Sequence, residues 1–214
     1  MARRRRQPDE TALLPFGAML NCDLLSNHWL EHRLPQEPEW TELRAESDAA
    51  LNRAADLWRQ ERDRVEQYGS EASLEQAFIQ PLFEILGWKL IYQTWLRGRR
   101  PDYALFLDDT AKDAALAAGR QSPEFWQHPA ILADAKAWHI NLDRPLRVGT
   151  QREYPPEQIE WYLDRSRLGY AVLTNGRLWR LIPRQLSPGK ARFQTYLEVD
   201  IPRLLDARLG NGGG

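Results

Sequence analysis

The chain has 214 residues, 43% apolar and 28% charged, with 29 basic and 30 acidic side chains and a formal charge of −1. A chain of this length and composition can bury a real core, which excludes wholesale disorder, a collagen-like repeat and a coiled-coil rod. No run approaches the roughly 18 apolar residues of a membrane span, and the single cysteine, Cys22, excludes a disulfide framework and the usual cysteine zinc site while fitting a reducing, cytoplasmic setting.

Residues 1–10 read as a basic disordered tail containing Arg3 to Arg6; without those four the balance is 25 basic against 30 acidic. The body is therefore no DNA-coating protein, and contact with nucleic acid would run through local patches or a further domain. Residues 11–70 read as a helical N-terminal extension. A short helical piece falls near Leu24 to Glu31, and a longer helix over Thr41 to Tyr68, where Leu43, Ala50, Leu51, Ala54, Leu57, Trp58 and Val65 recur near helical spacing.

Residues 71–208 read as the core. Ser73 opens a helix with capping-box spacing to Gln76, Pro81 kinks it and Gly87 ends it. Strands follow at Trp88 to Trp95 and Tyr103 to Leu107, joined by a tight turn at Leu96 to Arg100. An alanine-rich helix covers Asp108 to Gly119, Ser122-Pro123 opens another short one, and Ile131 to Lys136 is an apolar central strand. Residues 137–154 read as a long polar loop. A helix from Pro156 to Arg167, ended by Gly169, leads to a strand at Tyr170 to Thr174. Asn175-Gly176 is a hairpin turn, with a return strand over Arg177 to Ile182. A strand within Phe193 to Val199 and a short helix from Asp200 complete the core, and residues 209–214 read as a Gly-rich linker. The order predicts an α/β fold with one mixed central sheet between helices.

Chemistry concentrates at two strand ends. Pro101-Asp102 opens the second strand, and Asp134-Ala135-Lys136 closes the third. If these strands pair, both carboxylates and the ammonium converge. Asp134 and Lys136, two apart, share a face of their strand. Aspartate oxygens are hard ligands that suit Mg²⁺, and a lysine beside such an ion can stabilise charge developing on phosphorus. The set suits phosphodiester hydrolysis. Spacing alone leaves open a plain surface salt bridge between Lys136 and either acid.

Five stretches carry a resemblance: Leu74-Glu75-Gln76-Ala77-Phe78-Ile79-Gln80-Pro81-Leu82 through Leu86-Gly87-Trp88, Arg100-Pro101-Asp102-Tyr103-Ala104-Leu105-Phe106, Asp134-Ala135-Lys136, Gln158-Ile159-Glu160-Trp161-Tyr162, and Leu173-Thr174-Asn175-Gly176-Arg177-Leu178-Trp179-Arg180-Leu181. With the lead-in Ser26-Asn27-His28-Trp29-Leu30 through Trp40, they resemble the PD-(D/E)xK nuclease superfamily. More narrowly, they resemble the N-terminal endonuclease region of single-chain type IIG restriction–modification enzymes, over most of residues 20–183. The resemblance implies a restriction-endonuclease-like core in αβββαβ order. It implies Mg²⁺-dependent hydrolysis of double-stranded DNA, with Mn²⁺ able to substitute, in a restriction or related phage-defence system. Asp102 and Asp134 would hold the metal, with the backbone carbonyl of Ala135 as an extra ligand, Glu75 would be a further acid that binds the metal or supports its ligands, and Lys136 would be the catalytic lysine. Gln158 and Tyr162 match the family's Gln-x-x-x-Tyr feature and, four apart on a helix, share a face.

Type IIG enzymes continue into methyltransferase and target-recognition domains, which the resemblance places on a longer chain or a partner. These 214 residues carry no S-adenosylmethionine loop and no Asn-Pro-Pro-Tyr-like motif. Cutting both strands with one site per chain implies a homodimer on DNA. Two rivals stand: a non-catalytic DNA-binding or subunit-docking module of the same fold, and a DNA-repair-type nuclease of the same superfamily. Around the site, Arg97, Arg99 and Arg100 form either a phosphate-gripping patch or a solvated hairpin tip, and Trp95 and Trp138 are the candidate base contacts. His28 and His32 have metal-ligand spacing but no evident third ligand, and Cys22 reads as an inert thiol.

Overall fold

The computed structural model describes residues 13–14, 17–148, 151–186, 189 and 194–211. The basic tail lies outside them. Ten strands occur among them: β1 (Leu13–Leu14), β2 (Met19–Cys22), β3 (Lys89–Tyr92), β4 (Tyr103–Phe106), β5 (Ile131–Ala135), β6 (Leu146–Val148), β7 (Gln151–Glu153), β8 (Tyr170–Thr174), β9 (Leu178–Pro183) and β10 (Tyr196–Asp200). The helices are α1 (Pro38–Glu42), α2 (Arg44–Glu61), α3 (Glu71–Leu74), α4 (Gln80–Ile85), α5 (Asp109–Ala118), α6 (Pro155–Ser166) and α7 (Ile201–Asn211).

Eight strands form one mixed sheet in the order β1-β2-β10-β9-β8-β5-β4-β3, antiparallel throughout except for the β5–β8 pair. Parallel neighbours need a crossover, and α6 supplies it. The stretch from α3 to β8 thus contains the expected helix, three strands, helix and strand. The fold is α/β, a large mixed sheet flanked by helices.

Period-two alternation divides the core. Tyr103, Leu105, Ala133, Ala135 and Val172 join Trp58, Leu74, Phe78, Phe83 and Leu205 on one face. Ala104, Phe106, Leu132, Ala171 and Leu173 join Phe125, Ile159, Tyr162 and Leu163 on the other. Both faces of β4 and β5 are covered, so every residue of each is buried, as the unbroken apolar start of β5 requires.

Several local expectations are corrected. The core helix begins at Glu71, not Ser73: Ser70 is its cap, and its side chain accepts a bond from Ser73 N–H (3.2 Å). The helix widens into a π turn over Glu75–Ile79 ahead of Pro81, the local adjustment that keeps the proline ring clear of the carbonyl four residues back. The 137–154 loop contains the β6–β7 hairpin. α6 ends on Arg167 in the left-handed conformation (φ 63°) rather than at Gly169. The 11–70 extension is not wholly helical, because β2 pairs with β10 and so joins the central sheet. Residues 209–211, expected in the linker, continue α7.

The β8–β9 turn is held from two sides. Thr174 Oγ1 accepts from Gly176 N–H (2.9 Å), and Asn175 Oδ1 accepts from Leu178 N–H (2.8 Å). Gly176 has φ 82°, and a Cβ there would lie 3.1 Å from Trp138 and 3.2 Å from Leu74. Gly176→Ala combines left-handed strain with overpacking and is expected to cost about 1–3 kcal/mol, read as a lower urea midpoint at unchanged m.

Candidate active site

The β4–β5 register sets Tyr103 opposite Ala133, which carries Asp102 alongside Asp134. Asp102 Oδ2 accepts a hydrogen bond from Ala135 N–H (2.8 Å), tying the start of one strand to the end of the other. Lys136 N–H donates to the Thr174 carbonyl (2.8 Å), fixing the chain just beyond β5. The ammonium of Lys136 is ion-paired and hydrogen-bonded to Asp134 Oδ2. Asp134 is 1% exposed and Lys136 9%. The surface salt bridge that spacing left open is therefore a buried pair.

From the other side, α3 and the π turn bring two glutamates to the same point. Carboxylate oxygens of Glu71, Glu75 and Asp102 lie within 4.8 Å of one another. Glu75 is 3% exposed; its Oε1 accepts from the Tyr92 hydroxyl at 3.4 Å. Tyr103 Oη interacts with the same carboxylate, yet neither it nor Glu75 Oε2 closes a full hydrogen bond with a described residue.

The electrostatics follow from crowding. Two carboxylate charges within 4.8 Å of one another repel by at least roughly 3 kcal/mol at an effective dielectric of about 20. Burial, then the Asp134 and Glu75 charges, push Asp102 up to about 9. Burial and the neighbouring Glu71 charge push Glu75 up to about 7, against opposing contacts from Tyr103 and Tyr92. Burial raises Glu71, with the Lys136 charge opposing. Burial also raises Asp134 despite its ammonium partner. For Lys136, burial favours the neutral amine, but Asp134, Asp102 and Glu71 outweigh it and hold the ammonium. One ammonium thus faces four acids that cannot all ionise together. A divalent cation fits this donor set: three clustered carboxylates, one with an unpartnered buried oxygen.

The structure groups the expected acids differently. Asp102 and Glu75 share the carboxylate cluster. Asp134 is not in it and is engaged with Lys136, and Ala135 engages Asp102 through its N–H. Glu71 is not among the expected acids; its spacing of four from Glu75 becomes a signal only with the helix capped at Ser70. Gln158 Nε2 donates to Tyr162 Oη (2.9 Å), which donates to the Arg100 carbonyl (3.2 Å), so α6 buttresses the chain two residues before Asp102.

The arginine turn is exposed, and two of its arginines rest on indole rings. Arg99 lies over Trp161 (4.9 Å) and beside Glu153 (3.6 Å), and Arg100 lies over Trp95 (4.3 Å). Trp95 is therefore partly committed. Trp138 stacks on Trp58 (6.0 Å) and packs edge-on to Phe78 (6.4 Å), a core position more than a free stacking platform. His28 and His32 face each other (4.9 Å) on an exposed segment, in no metal-ligating group among the described residues.

Comparison of the chain with protein-family models, characterised proteins and solved structures finds no match. Among the described residues no helix is long and apolar enough to cross a membrane.

Proposed function

We propose that this chain is a metal-dependent endonuclease domain of the PD-(D/E)xK type that hydrolyses DNA phosphodiester bonds. The observation that carries the reading is the convergence of Glu71, Glu75 and Asp102 with the Asp134–Lys136 pair at one end of the β4–β5 ladder. The αβββαβ order supports it. Glu71, Glu75 and Asp102 would hold Mg²⁺, or Mn²⁺ in its place. The bound ion would supply Lewis-acid stabilisation of phosphoryl charge and a more acidic water. Lys136, kept protonated by the acids around it, donates to an oxygen gaining charge on phosphorus. Asp134 aims that ammonium. Tyr162 and Gln158 hold the Arg100–Asp102 strand entry in place.

The biological setting is part of the proposal and rests on the type IIG resemblance alone: a cleavage module of a restriction–modification or phage-defence system. It would act on double-stranded DNA as a homodimer, beside methyltransferase and target-recognition domains. The non-catalytic module gains from one observation, because an acid 1% exposed and ion-paired with its own lysine also describes a structural pair.

Nicking of supercoiled plasmid in Mg²⁺ and in Mn²⁺ tests the reading. Cleavage by the parent, reduced at least about a thousandfold in Asp102→Ala, is expected. Equal rates in parent and variant would sink the site. No cleavage by either, with no Mn²⁺ bound by the parent, would favour the module.

A further inference from the structure

A cavity of about 690 Å³ opens on the α6 face of the sheet between the Leu96–Arg99 turn, residues 121–127 and the end of α6. Its size falls within the roughly 300–1,000 Å³ of small-molecule sites. Arg97, Arg165 and Arg167 line it, and no carboxylate does. Among the described residues none of the three arginines forms an ion pair, although Arg165 also lies over Trp161 at 5.5 Å. The apolar wall comes chiefly from Trp95 and Trp126, which are locked together by a hydrogen bond from Trp126 Nε1 to the Trp95 carbonyl (2.8 Å). Gln121 and Gln127 add side-chain amides at its edge.

Backbone conformation adds an independent observation. Arg97 has φ 48° and precedes Gly98 at φ 91°; Arg167 has φ 63° at the C-terminus of α6. Both positions are left-handed, where glycine or asparagine is unstrained and a long side chain costs about 1 kcal/mol. Arginine stands at both, and both line this one cavity. The α6 C-terminus contributes a partial negative charge of about one half, which three guanidiniums outweigh.

We infer that this cavity is a binding site for a nucleoside 5′-phosphate, its phosphate held by Arg97, Arg165 and Arg167 and its base set against the Trp95–Trp126 wall. Forked guanidiniums match phosphate oxygens. Indole faces and amide edges match a base, and the volume far exceeds that of phosphate alone. The phosphate can come from a free nucleotide or from a DNA strand end. The site is separate from the carboxylate cluster and does not rest on the nuclease reading.

Binding is measured by calorimetry in EDTA, with deoxyadenosine 5′-monophosphate, inorganic phosphate, deoxyadenosine and a 5′-phosphorylated single-stranded oligonucleotide as probes. The monophosphate is expected to bind at one site, and the phosphorylated oligonucleotide to compete for it. Arg97→Asn and Arg167→Gly should each weaken binding at least about tenfold. Their thermal midpoints should stay unchanged or rise, since each substitution relieves backbone strain. Asp102→Ala should bind as the parent does, which separates this site from the catalytic one. Binding of the oligonucleotide but not the monophosphate would assign the site to a strand end. Three results would overturn the inference: no binding by either phosphorylated probe, equal affinity for inorganic phosphate or deoxyadenosine, or affinity untouched by both arginine variants.

Discussion

Lys136→Met is expected to abolish hydrolysis and to lower stability by about 3–5 kcal/mol at pH 7, the usual cost of stripping a buried charge of its partner. For a chain of this size that is on the order of 10 °C in midpoint. The cause is local. Asp134 is 1% exposed, and its Oδ2 is the atom that Lys136 holds. Without the ammonium, Asp134 must stay charged in an apolar setting or take a proton beside Asp102. The loss should therefore shrink as pH falls and protonation becomes easy. Asp134→Asn combined with Lys136→Met removes both charges and should recover most of the stability, but none of the activity. Thermal unfolding of the three variants at pH 5 and pH 7 checks this. A double variant no more stable than Lys136→Met alone would show that the pair's charges are not what matters.

The second large effect couples protons to metal. Glu75 at about 7 and Asp102 at about 9 are both raised above their unfolded values near 4. Across that window the folded state keeps protons that the unfolded chain has released, so stability falls as pH rises from about 4 to about 9 and then levels off. A divalent cation at the cluster replaces those protons and reverses the trend. With free cation at about 100 times its dissociation constant the stabilisation is about 2.7 kcal/mol, equivalent to roughly 5–10 °C. The rise in midpoint with Mg²⁺ or Mn²⁺ should be largest near pH 8.5 and small at pH 5, where protons compete for the same oxygens. Glu71→Gln should weaken the effect. A cation effect independent of pH would mean binding elsewhere.

The parts of the site that were legible in the sequence owe it to strand ends. Pro101-Asp102 before one apolar strand and Asp134-Ala135-Lys136 at the end of another required only that the strands be neighbours, and the β4–β5 register makes them so. Period two did the rest. Glu71 was illegible because the helix start was set at Ser73, which left Glu71 outside the helix. The actual cap at Ser70 adds the turn that carries it. The arginine turn is exposed, as charge in a loop suggests, but the stacking of two of its arginines is not legible in sequence. Cation–π stacking on Trp95 and Trp161 depends on residues that fold back from the 93–96 segment and from α6. The β6–β7 hairpin and β1–β2 are built from strands of two to four residues, too short for a period to emerge. Their pairing is a tertiary fact: β2 exists as a strand because β10 supplies its partners.

The proposed function assigns DNA hydrolysis to the cluster around Asp102, Asp134 and Lys136. The most direct measurement is the Mg²⁺-dependent nicking rate of the parent against the Asp134→Asn, Lys136→Met double variant, both first shown to be folded by their unfolding midpoints. A parent that nicks and a stable double variant that does not would support the claim, with folding removed as an explanation. Equal nicking by the two would contradict it.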